Sequence, residues 1–190
     1  MVINLITFAS NLQKKAIVNS SHEVLLTELE KYFTVNIVPY QDMEKIGRDE
    51  FSLLFIATGG VERLVSQFFS VLPRPVVLLA DGAQNSLAAA LEISAWLRAR
   101  GVKSEILHGD LVEIVKRVFV LYNNFKAQRR LSGSRIGVMG APASWLISSN
   151  VDYLLAKRRW GVEYVDISLD RVYDYYRQTT DDAVGEESAE

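Results

Sequence analysis

The 190-residue sequence predicts an α/β fold: a doubly wound, mostly parallel sheet with helices on both faces, Rossmann-like or flavodoxin-like in three layers. Short apolar runs alternate with segments of helical period along the chain. Two of the runs, Leu53–Ile56 and Val76–Leu79, are apolar without alternation, as expected of strands that are covered on both faces. Glycine-containing polar loops follow several of the runs, which is typical of connections from strand to helix.

Apolar runs and helix-end signals predict the individual elements. Seven strands are predicted, in chain order Val2–Ala9, Val35–Pro39, Leu53–Thr58, Val76–Ala80, Ser104–Leu107, Arg135–Met139 and Val162–Val165. Capping boxes of Ser20 with Glu23 and of Asp110 with Glu113 indicate two helix starts. The helices with predicted bounds are Gln84–Arg100, about Asp110–Leu131, Ser144–Arg159 and Ser168–Tyr176.

The segment Ser132-Gly133-Ser134 is the best candidate for a domain joint. Residues 1–131 are predicted to form one Rossmann-like α/β domain with a long connecting helix. Residues 132–178 either start a second α/β unit or extend the first sheet, because two strands alone do not make a stable sheet. Residues 179–190 form an acidic tail.

Composition narrows the classes of function. Apolar residues make up 49% of the chain, which fits a globular core, and the absence of cysteine excludes disulfides, thiolate nucleophiles and cysteine metal sites. The net charge of −2 does not suggest a nucleic-acid partner. No apolar run approaches the roughly 18 residues of a membrane span, and the N-terminus lacks the basic region of a signal peptide. We therefore expect a cytoplasmic protein with no membrane or nucleic-acid partner.

The loops after the strands contain the candidate ligand-binding residues. In open parallel sheets, ligands bind outside the carboxyl ends of the strands. The side chains and glycines of these loops that suit a sugar or another small ligand are Gly59, Gly60, Asp81, Asn85, Ser86, His108, Ser144 and Trp145. No catalytic residue and no metal site can be identified from spacing, and neither the GxGxxG nor the GxxxxGK[ST] pattern occurs.

Most candidates have a structural alternative. Backbone amides of Thr58-Gly59-Gly60 could hold a phosphate or carboxylate, or the glycines could serve a tight turn. Asp81 could bind a sugar hydroxyl, a metal or a proton, whereas Asn85 or Ser86 could cap the next helix. His108 could bind a ligand, shuttle a proton or hydrogen-bond to neighbouring loops.

Other aromatic residues and the second histidine are interpreted separately. His22 is expected to be solvated within the first turn of a helix. Trp145 could stack on a sugar ring or pack in a core or an interface. Three tyrosines are expected to pack against missing or partner protein, which favours a homo-oligomer: Tyr173, Tyr175 and Tyr176.

Two segments carry a resemblance to a known family. Pro75–Asp110 (PVVLLADGAQNSLAAALEISAWLRARGVKSEILHGD) resembles the amino-terminal region of L-fucose/L-arabinose isomerase-like proteins. Arg135–Asp174 (RIGVMGAPASWLISSNVDYLLAKRRWGVEYVDISLDRVYD) resembles the start of that family's second α/β domain. The resemblance implies two Rossmann-like domains, a carboxyl-terminal domain, and aldose–ketose isomerisation through an enediol with Mn²⁺ held by Glu, Asp and His.

None of the family's metal or catalytic residues matches a position in this sequence. The expected function is therefore that of the amino-terminal part of a sugar isomerase-like protein in carbohydrate metabolism. This part would contribute to the sugar pocket and to subunit contacts, with the Mn²⁺ site outside the chain and no catalysis by the chain alone. The alternative is a non-catalytic module that binds a sugar or another small ligand, or that mediates oligomerisation.

Overall fold

The structure is a computed structural model that describes residues 1–10, 22–47 and 49–179. The chain divides into two compact units, Met1–Phe125 and Lys126–Glu190, which we call unit 1 and unit 2. The division falls inside a long helix, upstream of the predicted joint at Ser132-Gly133-Ser134.

Unit 1 contains a five-stranded parallel sheet, so the predicted α/β fold class is confirmed. The strands are β1 (Val2–Phe8), β2 (Thr34–Pro39), β3 (Ser52–Ile56), β4 (Val76–Leu79) and β5 (Ser104–Leu107). Their order across the sheet is β2-β1-β3-β4-β5. This is the flavodoxin-like order, in which the direction of winding switches between β1 and β3.

Helices cover both faces of this sheet. They are α1 (Glu23–Glu30), α2 (Glu62–Gln67), α3 (Ser86–Arg98) and α4 (Leu111–Leu131), with two 3₁₀ helices at Tyr40–Lys45 and Ala83–Asn85. Side chains of α1 and α4, such as Leu29 and Val118, pack with Leu53 on one face. Side chains of α2 and α3, such as Val65 and Ile93, belong to a second buried apolar cluster on the opposite face. Burial from both sides is the reason that β3 and β4 show no alternation of apolar and polar residues.

Unit 2 contains a separate sheet of two parallel strands, β6 (Arg135–Met139) and β7 (Glu163–Ile167). Helix α5 (Tyr153–Trp160) lies between them in the chain, and α6 (Leu169–Gln178) follows β7. Ser168 caps α6 by accepting a hydrogen bond from the Arg171 amide at 3.4 Å, as predicted. Among the described apolar residues of unit 2, only Ala156 and Val162 are buried.

Two predicted helix starts are wrong. The helix predicted from Ser144 begins only at Tyr153, because the Asp152 carboxylate accepts a hydrogen bond from the Leu155 amide at 2.8 Å and caps the helix there. The helix predicted from Gln84 begins at Ser86, because Gln84 and Asn85 both adopt left-handed backbone conformations.

Two other predictions about helices have different outcomes. The predicted cap at Asp110 is confirmed by its hydrogen bond from the Glu113 amide at 3.0 Å. The capping box of Ser20 cannot be compared, because that residue lies outside the described residues.

Across residues 1–10, 22–47 and 49–179, none of the helices has both the length and the apolar composition needed to traverse a bilayer.

Candidate functional site

The loops that follow β1, β3, β4 and β5 lie along one edge of the unit 1 sheet, because these strands are parallel. We call this the carboxyl edge and define it as Ser10, Thr58–Gly60, Asp81–Ser86 and His108–Asp110. Hydrogen bonds connect its loops from strand to strand. At the switch point between β1 and β3, the Ser10 amide donates to Oγ1 of the buried Thr58 at 2.9 Å.

The loop after β3 packs against the loop after β4. The Gly59 amide donates to the Gln84 carbonyl at 2.8 Å, and a Cβ at Gly59 would lie 3.1 Å from the Asn85 Cβ. The Gly60 amide is 3.4 Å from Glu62 Oε1, and Gly60 has a φ of +77°, which favours glycine. Both amides therefore have acceptors within the protein. This geometry favours the turn interpretation of Thr58-Gly59-Gly60 over a cradle for an anion.

Asp81 organises the turn after β4. Its Oδ1 accepts hydrogen bonds from the Ala83 amide at 2.9 Å and from the Ser86 hydroxyl at 3.2 Å. Its Oδ2 is paired with Nδ1 of His22. The Ser86 oxygen in turn accepts from the Gly82 amide at 3.0 Å. The side chains of Asp81 and Ser86 thus bond to the turn itself, and Ser86 is fully buried.

The turn holds two residues in an unfavourable backbone conformation. Gln84 and Asn85 have φ values of +52° and +61°. Left-handed conformations of residues other than glycine cost on the order of 1 kcal/mol each and persist only where the surroundings enforce them. Here the bonds to Asp81 and the packing of Asn85 on Gly59 enforce them, and the side chains of Gln84 and Asn85 are left exposed.

Asp81 is a carboxylate at neutral pH. Burial alone would raise the pKa of Asp81, but the hydrogen bonds from His22, the Ala83 amide and Ser86, together with the charge of His22, hold that pKa below its usual value. Because a carboxylate only accepts hydrogen bonds, Nδ1 of His22 must be the donor in the pair.

His22 is completely buried, so the prediction of a solvated side chain is wrong. Its ring stands edge-on to Phe55 with 5.0 Å between the centroids. Within the described residues, its Nε2 has no hydrogen-bond partner. A helical pattern could have revealed this burial, since His22 falls at the i, i+3, i+7 spacing with Leu25 and Leu29, which form the buried face of α1.

His108 lies on the other side of the same turn. Its Nδ1 donates to the Ala80 carbonyl at 2.7 Å, so the neutral ring has an acceptor lone pair at Nε2. A Cβ on Gly82 would lie 3.0 Å from Cε1 of this ring, so the absence of a side chain at Gly82 allows His108 its position. The chain has two histidines, and both contact the three residues from Ala80 to Gly82.

The structure brings together six of the eight predicted ligand-binding residues. At the carboxyl edge, Gly60, Asn85 and His108 are exposed, whereas the Asp81 side chain is 13% exposed. The other two at this edge are the partly buried Gly59 and the buried Ser86. Ser144 and Trp145 belong to unit 2, where both are exposed on the segment after β6.

The carboxyl edge lacks a recognisable metal centre. No group of three or more His, Asp or Glu side chains that could hold a metal ion occurs in the part of the chain that the structure describes. Both Asp81 oxygens already accept hydrogen bonds from the protein. The described residues do not fit the Mn²⁺ site that the family resemblance implies.

No protein-family model matches this chain, and no curated protein has significant sequence similarity to it.

Proposed function

We propose that this chain is the amino-terminal part of a sugar aldose–ketose isomerase-like protein and that its carboxyl edge contributes to the sugar pocket. The observation that carries the proposal is the set of exposed hydrogen-bonding side chains of Gln84, Asn85 and His108 at the carboxyl edge of a parallel sheet. The proposal places the metal site of the isomerase outside these 190 residues.

The exposed groups suit a ligand with several hydroxyls. Nε2 of His108 can accept a hydrogen bond from a hydroxyl, and the side-chain amides of Gln84 and Asn85 can both donate and accept. The left-handed turn fixes the backbone of Gln84 and Asn85, and the bond from Nδ1 to the Ala80 carbonyl fixes the ring of His108, before a ligand arrives. Such preorganisation lowers the entropic cost of binding.

The charges at this edge favour a neutral ligand over a phosphorylated one. Carboxylates of Glu62, Asp81 and Asp110 lie on its loops or directly after them. The amides of Gly59 and Gly60 have acceptors within the protein. An anion would meet negative charge without free backbone donors at these glycines, which disfavours the phosphate alternative.

The isomerase part of the proposal draws on the resemblance of Pro75–Asp110 and Arg135–Asp174. A parallel α/β unit followed by a second strand–helix–strand–helix unit is consistent with the domain order that this resemblance implies. Removal of a proton beside a carbonyl needs a base, and an enediolate needs an electrophile. Following the resemblance, the proposal assigns those roles to residues outside the chain.

Sugar binding can be tested by NMR titration of the ¹⁵N-labelled chain with L-fucose and with L-arabinose, using inorganic phosphate as the charged comparison. We expect amide shifts at the carboxyl edge with at least one sugar and none with phosphate. Asn85→Ala should weaken binding, whereas Asn4→Leu, at the opposite end of β1, should leave it unchanged. The proposal fails if neither sugar shifts these amides.

A second assay separates the isomerase proposal from the alternative of a non-catalytic sugar-binding module. The chain with Mn²⁺ and either aldose should form no ketose. Turnover by the pure chain would contradict the placement of the metal site elsewhere. If the rest of an isomerase-like protein forms ketose only when this chain is added, the non-catalytic module is excluded.

A further inference from the structure

The buried His22 imidazole has no assigned role, yet it is bonded to the turn that presents the exposed groups of the carboxyl edge. A polar atom buried without a partner is unfavourable, and such atoms are rare in folded proteins. Nε2 of His22 is such an atom within the described residues. An apolar side chain would fill this place without that cost, so the feature that distinguishes histidine here is its Nδ1–H donor to Asp81.

The Nδ1–H donor is one end of a connected set of hydrogen bonds. It pairs with Oδ2 of Asp81, whose Oδ1 fixes the Ala83 amide and the Ser86 hydroxyl. Ser86 then accepts from the Gly82 amide. A Cβ on Gly82 would lie 3.0 Å from Cε1 of His108, so this end of the set faces an exposed imidazole.

A second branch leads to the other exposed groups. Fixing Ala83 and Ser86 holds Gln84 and Asn85 between them in left-handed conformations. The Gln84 carbonyl then accepts from the Gly59 amide and joins the turn to the loop after β3. A change at the buried imidazole can therefore move every exposed polar group that the proposed sugar site uses.

We propose that His22 is a positioning residue for the sugar site: through its Nδ1–H bond to Asp81 it holds the Gly82–Ser86 turn and the ring of His108 in the orientation that binds sugar hydroxyls. This inference rests on the proposed function for its ligand. The position of the turn, however, can be measured without any ligand.

Two amide substitutions separate the donor from the bulk of the side chain. Asparagine places its Nδ2 where histidine has Nδ1, whereas glutamine reaches the position of Nε2. We expect His22→Asn to bind L-fucose or L-arabinose within about threefold of the wild type and His22→Gln to weaken binding about tenfold, the order expected for one hydrogen bond to a charged group. His22→Leu should weaken binding at least as much as His22→Gln.

A control separates this effect from a general loss of stability. Asn4 is another buried polar residue, bonded to Glu50 and Asn36 at the opposite end of β1. Asn4→Leu should lower Tm without changing the dissociation constant for the sugar. Equal affinities for His22→Asn and His22→Gln, or wild-type affinity for His22→Leu, would overturn the positioning role.

Histidine ¹⁵N NMR supplies a readout that needs no ligand. The chain has two histidines, so each imidazole can be assigned from its own signals. We expect a proton on Nδ1 of both rings in the wild type, and we expect His22→Gln to shift the His108 signals and the amides of residues 82–86. An unprotonated Nδ1 on His22, or unchanged shifts in His22→Gln, refutes the positioning role. A wild-type chain that binds neither sugar refutes only the proposed function.

Discussion

Unit 1 and unit 2 are built from the same alternation of parallel strands and helices, yet they bury their apolar side chains to very different degrees. In β3, all five residues are buried beneath helices on both faces. In β6 no residue is buried, and Met139 is largely exposed. An apolar strand therefore becomes part of a core only when neighbouring strands and covering helices enclose it.

Exposed aromatic and aliphatic side chains are concentrated in unit 2. Trp145 is 79% exposed and Ile147 is fully exposed on the segment after β6. Helix α6 has no buried residue, and its Tyr173 and Tyr176 are exposed. Contiguous exposed apolar surface is typical of sites that contact other protein. We propose that the subunit contacts of this chain are at unit 2, where these large apolar side chains are exposed.

The strongest test of this difference in burial makes the same substitution in both units and compares the loss of unfolding free energy. Leu54→Ala removes a fully buried side chain from β3, and Leu154→Ala removes one that is 73% exposed on α5. We expect Leu54→Ala to lower the free energy of unfolding by about 2–5 kcal/mol and Leu154→Ala by less than about 0.5 kcal/mol. Urea unfolding of both variants measures the two values, and similar losses would contradict the comparison.

The next effect concerns acid stability in unit 1. The pKa of Asp81 is lower in the folded chain than its ordinary value because of the bonds from His22, Ala83 and Ser86, which outweigh burial. Its contribution to stability is therefore complete above the ordinary value of about 3.9 and is lost as the pH falls through the lower folded value. Thermal unfolding of Asp81→Asn should show a lower Tm than the wild type at neutral pH, and the difference should narrow in acid. A Tm difference that stays constant from neutral to acid pH would contradict the lowered pKa of Asp81.

Two glycines of unit 1 separate backbone strain from side-chain contact. Gly82 and Gly101 both have positive φ, but a Cβ on Gly82 would touch His108 whereas one on Gly101 would meet no atom within 4 Å. Gly101→Ala should lower the free energy of unfolding by about 1 kcal/mol through backbone strain alone. Gly82→Ala should cost more and should also shift the His108 ring signals in NMR spectra. Equal losses of unfolding free energy in the two variants, with unchanged His108 signals, would show that the contact between the added Cβ and His108 is unimportant.

Substitutions of exposed side chains in unit 2 should change the free energy of unfolding least. Ile147→Ser and Tyr176→Ser replace exposed side chains and should change the free energy of unfolding by less than about 0.5 kcal/mol. If unit 2 mediates self-association, sedimentation velocity should show a smaller assembly for the double variant than for the wild type. An unchanged sedimentation coefficient would count against subunit contacts through these residues.

Strand positions were predicted well because their signal is local. The runs at Ser104–Leu107 and Arg135–Met139 have the predicted bounds, and the predicted long helix is shifted by one residue at its start. The convergence of Asp81 and His108 on one edge followed from parallel strands alone. The start of α5 was missed because Ser144 and Asp152 are both good capping residues, and only the structure shows which one bonds to a helix amide.

Residue periodicity and the parallel direction of the strands were enough to predict the class of fold and the meeting of the loops after β3, β4 and β5 at the carboxyl edge. They did not show that the loop after β6 belongs to a separate sheet. The contacts within those loops were revealed by the folded structure. It buried His22 against Phe55, paired it with Asp81 across 59 positions of the chain, and held Gln84 and Asn85 in left-handed conformations. Those features depend on contacts between residues distant in sequence, whose energies no local pattern records.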